Sequence, residues 1–254
     1  MHHIGRERVI YMLRARRLAS VAVVASLAVA GLSACRSEPS VVAYLGDTKV
    51  TDARVQEVYD EVQEKFVAPP GAPAGQPVRV PISRTDVAAA LVSSQVLAQV
   101  AKERSVSLPA DLQLAEYAGS LSLPENTEYV RLFAETDGYV RVLREKLQNA
   151  PEPSDEDLRE VFDVLVATEQ VNAAGTFEEF KSSLPPQNKQ LVQTAAAVRN
   201  EIVKAADAMD IRINPRYQPL GIPVLQFQTQ NGEVRPLLTA KLGSDEAAPV
   251  VDIR

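Results

Sequence analysis

One cysteine, Cys35, stands in the whole 254-residue chain, and it closes the run Leu32-Ser33-Ala34-Cys35. Ahead of it lie Arg14, Arg16 and Arg17, followed by the fifteen-residue stretch 18–32, which is predominantly apolar. A positive n-region, an apolar segment too short for a permanent membrane helix, and small residues before a cysteine together predict a lipoprotein-type export signal. Cleavage then falls between Ala34 and Cys35, and Cys35 is the expected lipid-attachment residue, because the anchor is joined through a thioether. Residues 1–34 are read as the signal, with Met12 a start just before its basic part, and residues 35–40 as a polar tether.

That reading limits what the rest of the chain can be. The 220 residues that remain hold no second thiol, so no disulfide can staple them. Both histidines, His2 and His3, lie in the signal. A Ser-His-Asp or Cys-His arrangement and a His/Cys zinc site are therefore excluded from the mature part. The length suffices for one substantial domain or two small ones, held by packing alone. Five arginines and one glutamate precede Cys35, which leaves 22 basic against 32 acidic residues, a net charge of about −10. Such a surface repels nucleic acid and anionic headgroups, so no nucleic-acid partner is expected and the membrane is reached only through the anchor.

Along the mature chain, 41–45 and 48–50 read as short strands around Gly46-Asp47. Thr51 is the expected N-cap of a helix carrying Val55, Val58, Tyr59, Val62 and Phe66. Residues 68–81 hold five prolines and two glycines, a polyproline-like loop. Ser83 and Asp86 form a capping box before a strongly apolar core helix with Val87, Leu91, Val92, Val96, Leu97 and Val100. A third helix is predicted over 109–117 with Ser107 as cap, and a fourth from 126 or 127 to 148. After Pro151 and Pro153, Ser154 and Asp157 cap a fifth helix, and Thr176 and Glu179 a short sixth, so 154–186 read as a small helical subdomain. A long helix over 188–208, with Leu191, Ala195, Val198, Ile202 and Ala206 inward, leads to a strand over 211–213. From 218 to 254 the chain reads as a hairpin around Asn231-Gly232 and a flexible tail.

The order strand, Gly-Asp turn, strand, Thr-capped helix, then an apolar helix ending Leu97-Ala98-Gln99-Val100-Ala101-Lys102-Glu103-Arg104, resembles the amino-terminal domain of the SurA, PrsA and PpiD chaperones. The later stretch Ile211-Arg212-Ile213-Asn214-Pro215-Arg216-Tyr217 resembles that family's closing strand and turn. The resemblance implies a SurA-type chaperone domain over 41–217, with the first and last strands in one sheet. It does not carry over the family's parvulin isomerase domain. Only about thirty residues without a histidine separate Pro153 from Pro186, far too few for one.

The expected fold is a mostly helical α+β domain, a helical bundle closed by a small sheet joining its N- and C-terminal ends. The expected role is an extracytoplasmic, non-catalytic, chaperone-like lipoprotein that holds unfolded or partly folded secreted proteins. Its alternative is an envelope scaffold that binds one specific protein. Most aromatics fall on helical apolar stripes and belong to the core. Phe162, Phe177 and Phe180 are the exception, expected on weakly buried short helices where they would contact clients. The acidic run Asp155-Glu156-Asp157 with Glu160 and Asp163 complements a helix dipole better than it matches a cation loop, so neither a metal nor a cofactor is expected. No carboxylate pair is singled out for glycosidic chemistry, and tryptophan, the usual sugar platform, is absent. A solute-binding protein would need two lobes of alternating strands and helices.

Overall fold

The computed structural model describes residues 40–67, 79–171, 175–229 and 231–243. The predicted signal, Cys35, most of the proline-rich loop and the end of the tail lie outside them. All described residues belong to one compact unit, Ser40–Arg254.

β1 (Val41–Leu45) and β2 (Thr48–Thr51) form an antiparallel hairpin whose turn places Gly46 at φ +59°, a conformation that suits a residue without Cβ. α1 (Asp52–Lys65) follows directly, its first turn held by the Thr51 hydroxyl accepting the Arg54 N–H. α2 (Arg84–Arg104) opens with the reciprocal Ser83–Asp86 capping box. Its buried residues run almost all round the helix, because it packs against α1, β2, the later strand β4 (Leu220–Gln228) and two later helices, α4 (Glu128–Lys146) and α7 (Pro186–Ala208). The predicted core positions Val87, Leu91, Val92, Val96, Leu97 and Val100 are all buried.

α7 begins two residues earlier than expected, with Pro186 in its first turn, where a missing N–H costs nothing. Leu191, expected inward, is 45 % exposed, while Val192, Ala195, Val198, Ile202 and Ala206 are buried. β3 (Arg212–Ile213) then pairs antiparallel with β1, Ala43 opposite Ile213 and Tyr44 opposite Arg212, giving the sheet order β2-β1-β3. The turn after it fastens this closure. Asn214 donates its backbone N–H to the Val42 carbonyl at 2.8 Å and its side-chain amide to the Val41 carbonyl at 3.1 Å, and its Oδ1 accepts the Arg216 N–H. The Tyr217 hydroxyl donates to the Asp52 carboxylate at the start of α1. The result is the mostly helical α+β bundle closed by a small sheet that the sequence predicts.

A further expectation, that for the third helix, differs from the structure. The third helix, α3 (Leu114–Leu121), starts after Gln113, which sits in the left-handed region with no side-chain cap, rather than at Pro109 behind a Ser107 cap. The preceding segment lies across α4, with Leu108 and Leu112 over Gly138. That packing holds it out of the helix, a tertiary contact outweighing local propensity. The expected terminal hairpin forms as β4 (Leu220–Gln228) and β5 (Val234–Leu242). Leu220, Ile222, Val224, Leu225, Leu238, Ala240 and Leu242 are buried, and the hairpin packs on α2, α7 and the subdomain helix α5 (Asp155–Ala167). Its ladder is irregular beside Pro223, which has no N–H to contribute.

Candidate functional site

The two elements of the predicted client-binding region start with capping boxes. Ser154 and Asp157 open α5, and Thr176 and Glu179 open α6 (Phe177–Ser183). Once its cap fixes each helix, three- and four-residue spacing sends Leu158, Val161, Phe162 and Leu165 to one face of α5, and Phe177 and Phe180 to one face of α6. The structure brings the three aromatic rings together. Phe162 lies 6.0 Å from Phe177, edge to face, and 5.3 Å from Phe180. The Arg159 guanidinium covers the outer face of Phe177 at 4.1 Å.

This corrects the expectation that Phe162, Phe177 and Phe180 stand open in a groove. Phe177 is buried, Phe162 and Phe180 are half-buried, and all three belong to or pack on the main hydrophobic cluster. The trio is a closed contact between α5 and α6. Cys35, the predicted lipid-attachment residue, lies outside the described residues.

The predicted acidic run ties α5 to both α7 and α6. Asp157, 5 % exposed, accepts the Ser154 N–H and hydroxyl with one oxygen and an Arg199 N–H with the other; Arg199 also reaches Glu160 at 2.9 Å. Burial alone would raise the Asp157 carboxyl, but the Ser154 hydrogen bonds and the Arg199 charge outweigh it and hold it below the ordinary carboxylate value. Asp155 pairs with Lys181 of α6 at 2.5 Å.

A groove of about 490 Å³ lies elsewhere, between α1 and the start of α4, with Val58 and Leu114 beside Arg54, Glu57, Glu61, Glu125, Glu128 and Arg131. The sequence offered no signal for it, because its partners stand far apart in the chain. Arg54 reaches Glu57 at 2.8 Å and Glu128 at 2.5 Å, and Arg131 bridges Glu128 and Glu135. Glu61 accepts Lys65 at 2.7 Å and the Glu128 N–H at 3.0 Å. Burial opposes ionisation of Glu61, yet the Lys65 and Glu128 hydrogen bonds and the charges of Lys65 and Arg54 lower its pKa. Held ionised in this way, the Glu61 carboxylate ties α1 to the start of α4 and is poorly poised for proton transfer near neutrality.

Among the described residues no group of three or more His, Cys, Asp or Glu side chains is placed to hold a metal ion, and no helix is long and apolar enough to cross a membrane. No protein-family model, curated protein or solved structure matches the chain.

Proposed function

We propose that this chain is a lipid-anchored extracytoplasmic protein of chaperone-like architecture that binds unfolded or partly folded polypeptides without catalysis. The observation that carries the reading is the closure of the β2-β1-β3 sheet by the strand after α7, fastened through the Asn214–Tyr217 turn. That is the arrangement implied by the resemblance to the SurA, PrsA and PpiD chaperones. The anchor rests on the run ending at Cys35, and the acidic balance of the mature part directs binding away from nucleic acid.

The test has two arms. A Cys35→Ala chain is expected to leave the membrane fraction, since the anchor supplies the membrane affinity. The part from Arg36 onward is expected to slow the light-scattering aggregation of two unrelated unfolded proteins while leaving proline-limited refolding unaccelerated. No effect on scattering at several-fold molar excess sinks the chaperone reading.

One observation favours a second reading, an envelope scaffold with a single specific partner. Among the described residues the large apolar side chains left exposed are the scattered Val67, Leu191 and Val234, rather than a continuous apolar surface. A single stoichiometric partner in a pull-down from membranes, without broad suppression of aggregation, supports it.

A further inference from the structure

α6 is seven residues long, too short to be helical on its own, and the element it packs on most is α5. What it presents to α5 is a recognition pattern. Phe177, Phe180 and Leu184 stand at i, i+3 and i+7, the spacing with which an amphipathic helix enters an apolar groove. The two rings sit on Phe162, and Leu165 and Leu184 are themselves partly buried against the main hydrophobic cluster. Outside the rings, the cross-links between the two helices are exposed ones: Lys181 on Asp155, with the lysine side chain 39 % and the aspartate 64 % exposed, and Arg159 over Phe177. Pro185, at the far end of α6, cannot donate a hydrogen bond to prolong the helix.

α5 itself is held differently. Leu158 and Val161 are buried, α5 packs on β5 and α7, and Arg199 of α7 grips Asp157 and Glu160. The fixed partner is therefore α5 and the weakly held one is α6. α5 itself carries Asp155, Glu156, Asp157, Glu160 and Asp163 against Arg159 alone; Arg199 engages Asp157 and Glu160, and Asp155, Glu156 and Asp163 remain to attract a basic partner once Lys181 leaves with α6.

We propose that α6 is an internal occupant of a helix-binding face on α5, and that the partner is a basic amphipathic helix with apolar residues at i, i+3 and i+7, which takes the place of α6 against Phe162. The inference rests on the reading of the chain as a polypeptide-binding protein, and names the polypeptide feature and the face that takes it.

The face is tested with the α6 segment itself, a fluorescent synthetic peptide of residues 175–184, added to the full chain. Phe177→Ala with Phe180→Ala empties the face, so this variant is expected to bind the peptide at least about tenfold more tightly than the unaltered chain. Adding Phe162→Ala removes the gain. A peptide carrying Glu178→Lys should bind the emptied face more tightly still at low salt, a difference that salt erases. Equal binding to emptied and unaltered chains, or none to an emptied chain that keeps its helical circular dichroism, overturns the proposal.

If the variant fails to fold, hydrogen exchange on the unaltered chain decides instead. Amides of α6 are expected to exchange at least about 100-fold faster than those of α2 through local opening, with α5 protected. Protection of α6 equal to that of α2 overturns the proposal. These outcomes are independent of the aggregation assay, so a chain that fails to suppress aggregation and yet accepts the peptide retains the helix-binding face and loses only the general chaperone role.

Discussion

Asn214→Ala removes two hydrogen bonds from the clasp behind β3 while leaving the apolar core untouched. The side-chain amide gives up its bond to the Val41 carbonyl, and the Arg216 N–H loses the Oδ1 that shapes the turn. Each such bond contributes roughly 0.5–1.5 kcal/mol net, and Asn214 is half-buried, so a loss of about 2 kcal/mol is expected. For a chain of this size that lowers Tm by about 4–8 °C. The backbone bond from Asn214 to Val42 survives, so the variant folds.

Asn214→Asp separates the two contributions. Its carboxylate still accepts from Arg216 but faces the Val41 carbonyl with no proton to donate. The repulsion pushes the new carboxyl pKa above its unfolded value near 4, so the protonated form, able to donate to Val41, is favoured in the fold. The folded pKa being raised, the aspartate variant is least stable near about pH 7 and regains ground on the alanine variant as pH falls toward about 3.5. Thermal unfolding by circular dichroism of all three chains across that range is the assay. The reasoning fails if Asn214→Ala melts with the unaltered chain, or if the gap between the aspartate and alanine variants does not change with pH.

Removing the cation that grips α5, with Arg199→Met, leaves Asp157 buried beside Ser154 with no counter-charge and is expected to cost about 3 kcal/mol in urea unfolding near neutrality. Because the folded pKa of Asp157 is depressed, the stability it supplies is present above the unfolded value near 4 and is lost as pH falls through the folded value. The gap between unaltered and variant chains should therefore narrow in acid, and a gap constant with pH would show that Asp157 does not act as a charge. In β4, a Cβ on Gly221 would stand 2.6 Å from the Thr239 Cγ2 and 3.1 Å from the Ala240 carbonyl oxygen, so Gly221→Ala should cost about 1–3 kcal/mol. Thr239→Ser, which removes that methyl group, should restore part of the loss, and no recovery would place the strain at the Ala240 backbone instead.

Those features whose cause is local were legible before the structure. Thr51, Ser83, Ser154 and Thr176 each cap a backbone N–H three residues on, and each starts its helix as read. Ile211 precedes and Ile213 ends a strand recognisable by type and by the turn that follows it, and both are buried. What escaped depends on contacts between distant positions. The residues 109–113 carry helix signals, yet Leu108 and Leu112 gain more by lying on Gly138, and the Asp111 carboxylate accepting the Gln113 N–H shapes an alternative turn. Likewise, apolar spacing marked Phe162, Phe177 and Phe180 without revealing that the rings would face one another. The Arg54–Glu128 and Glu61–Glu128 links cross 74 and 67 residues, and no window of sequence holds both ends.

The buried middle strand β1 has a consequence for how such a chain is made. Its second neighbour arrives last, since Asn214 reaches back to Val41 across 173 residues. A chain threading through an export channel, as proposed here, offers β1 only the β2 hairpin until nearly the whole domain has emerged. Two strands alone are marginal in water, so the emerging part cannot lock prematurely into a shape too wide to thread. Completion comes instead as a late, long-range event, slow compared with helix formation. A chain broken off before residue 212 leaves the edge of β1 that pairs with Arg212 and Ile213 without a partner, an open strand edge that distinguishes the fragment from the finished domain.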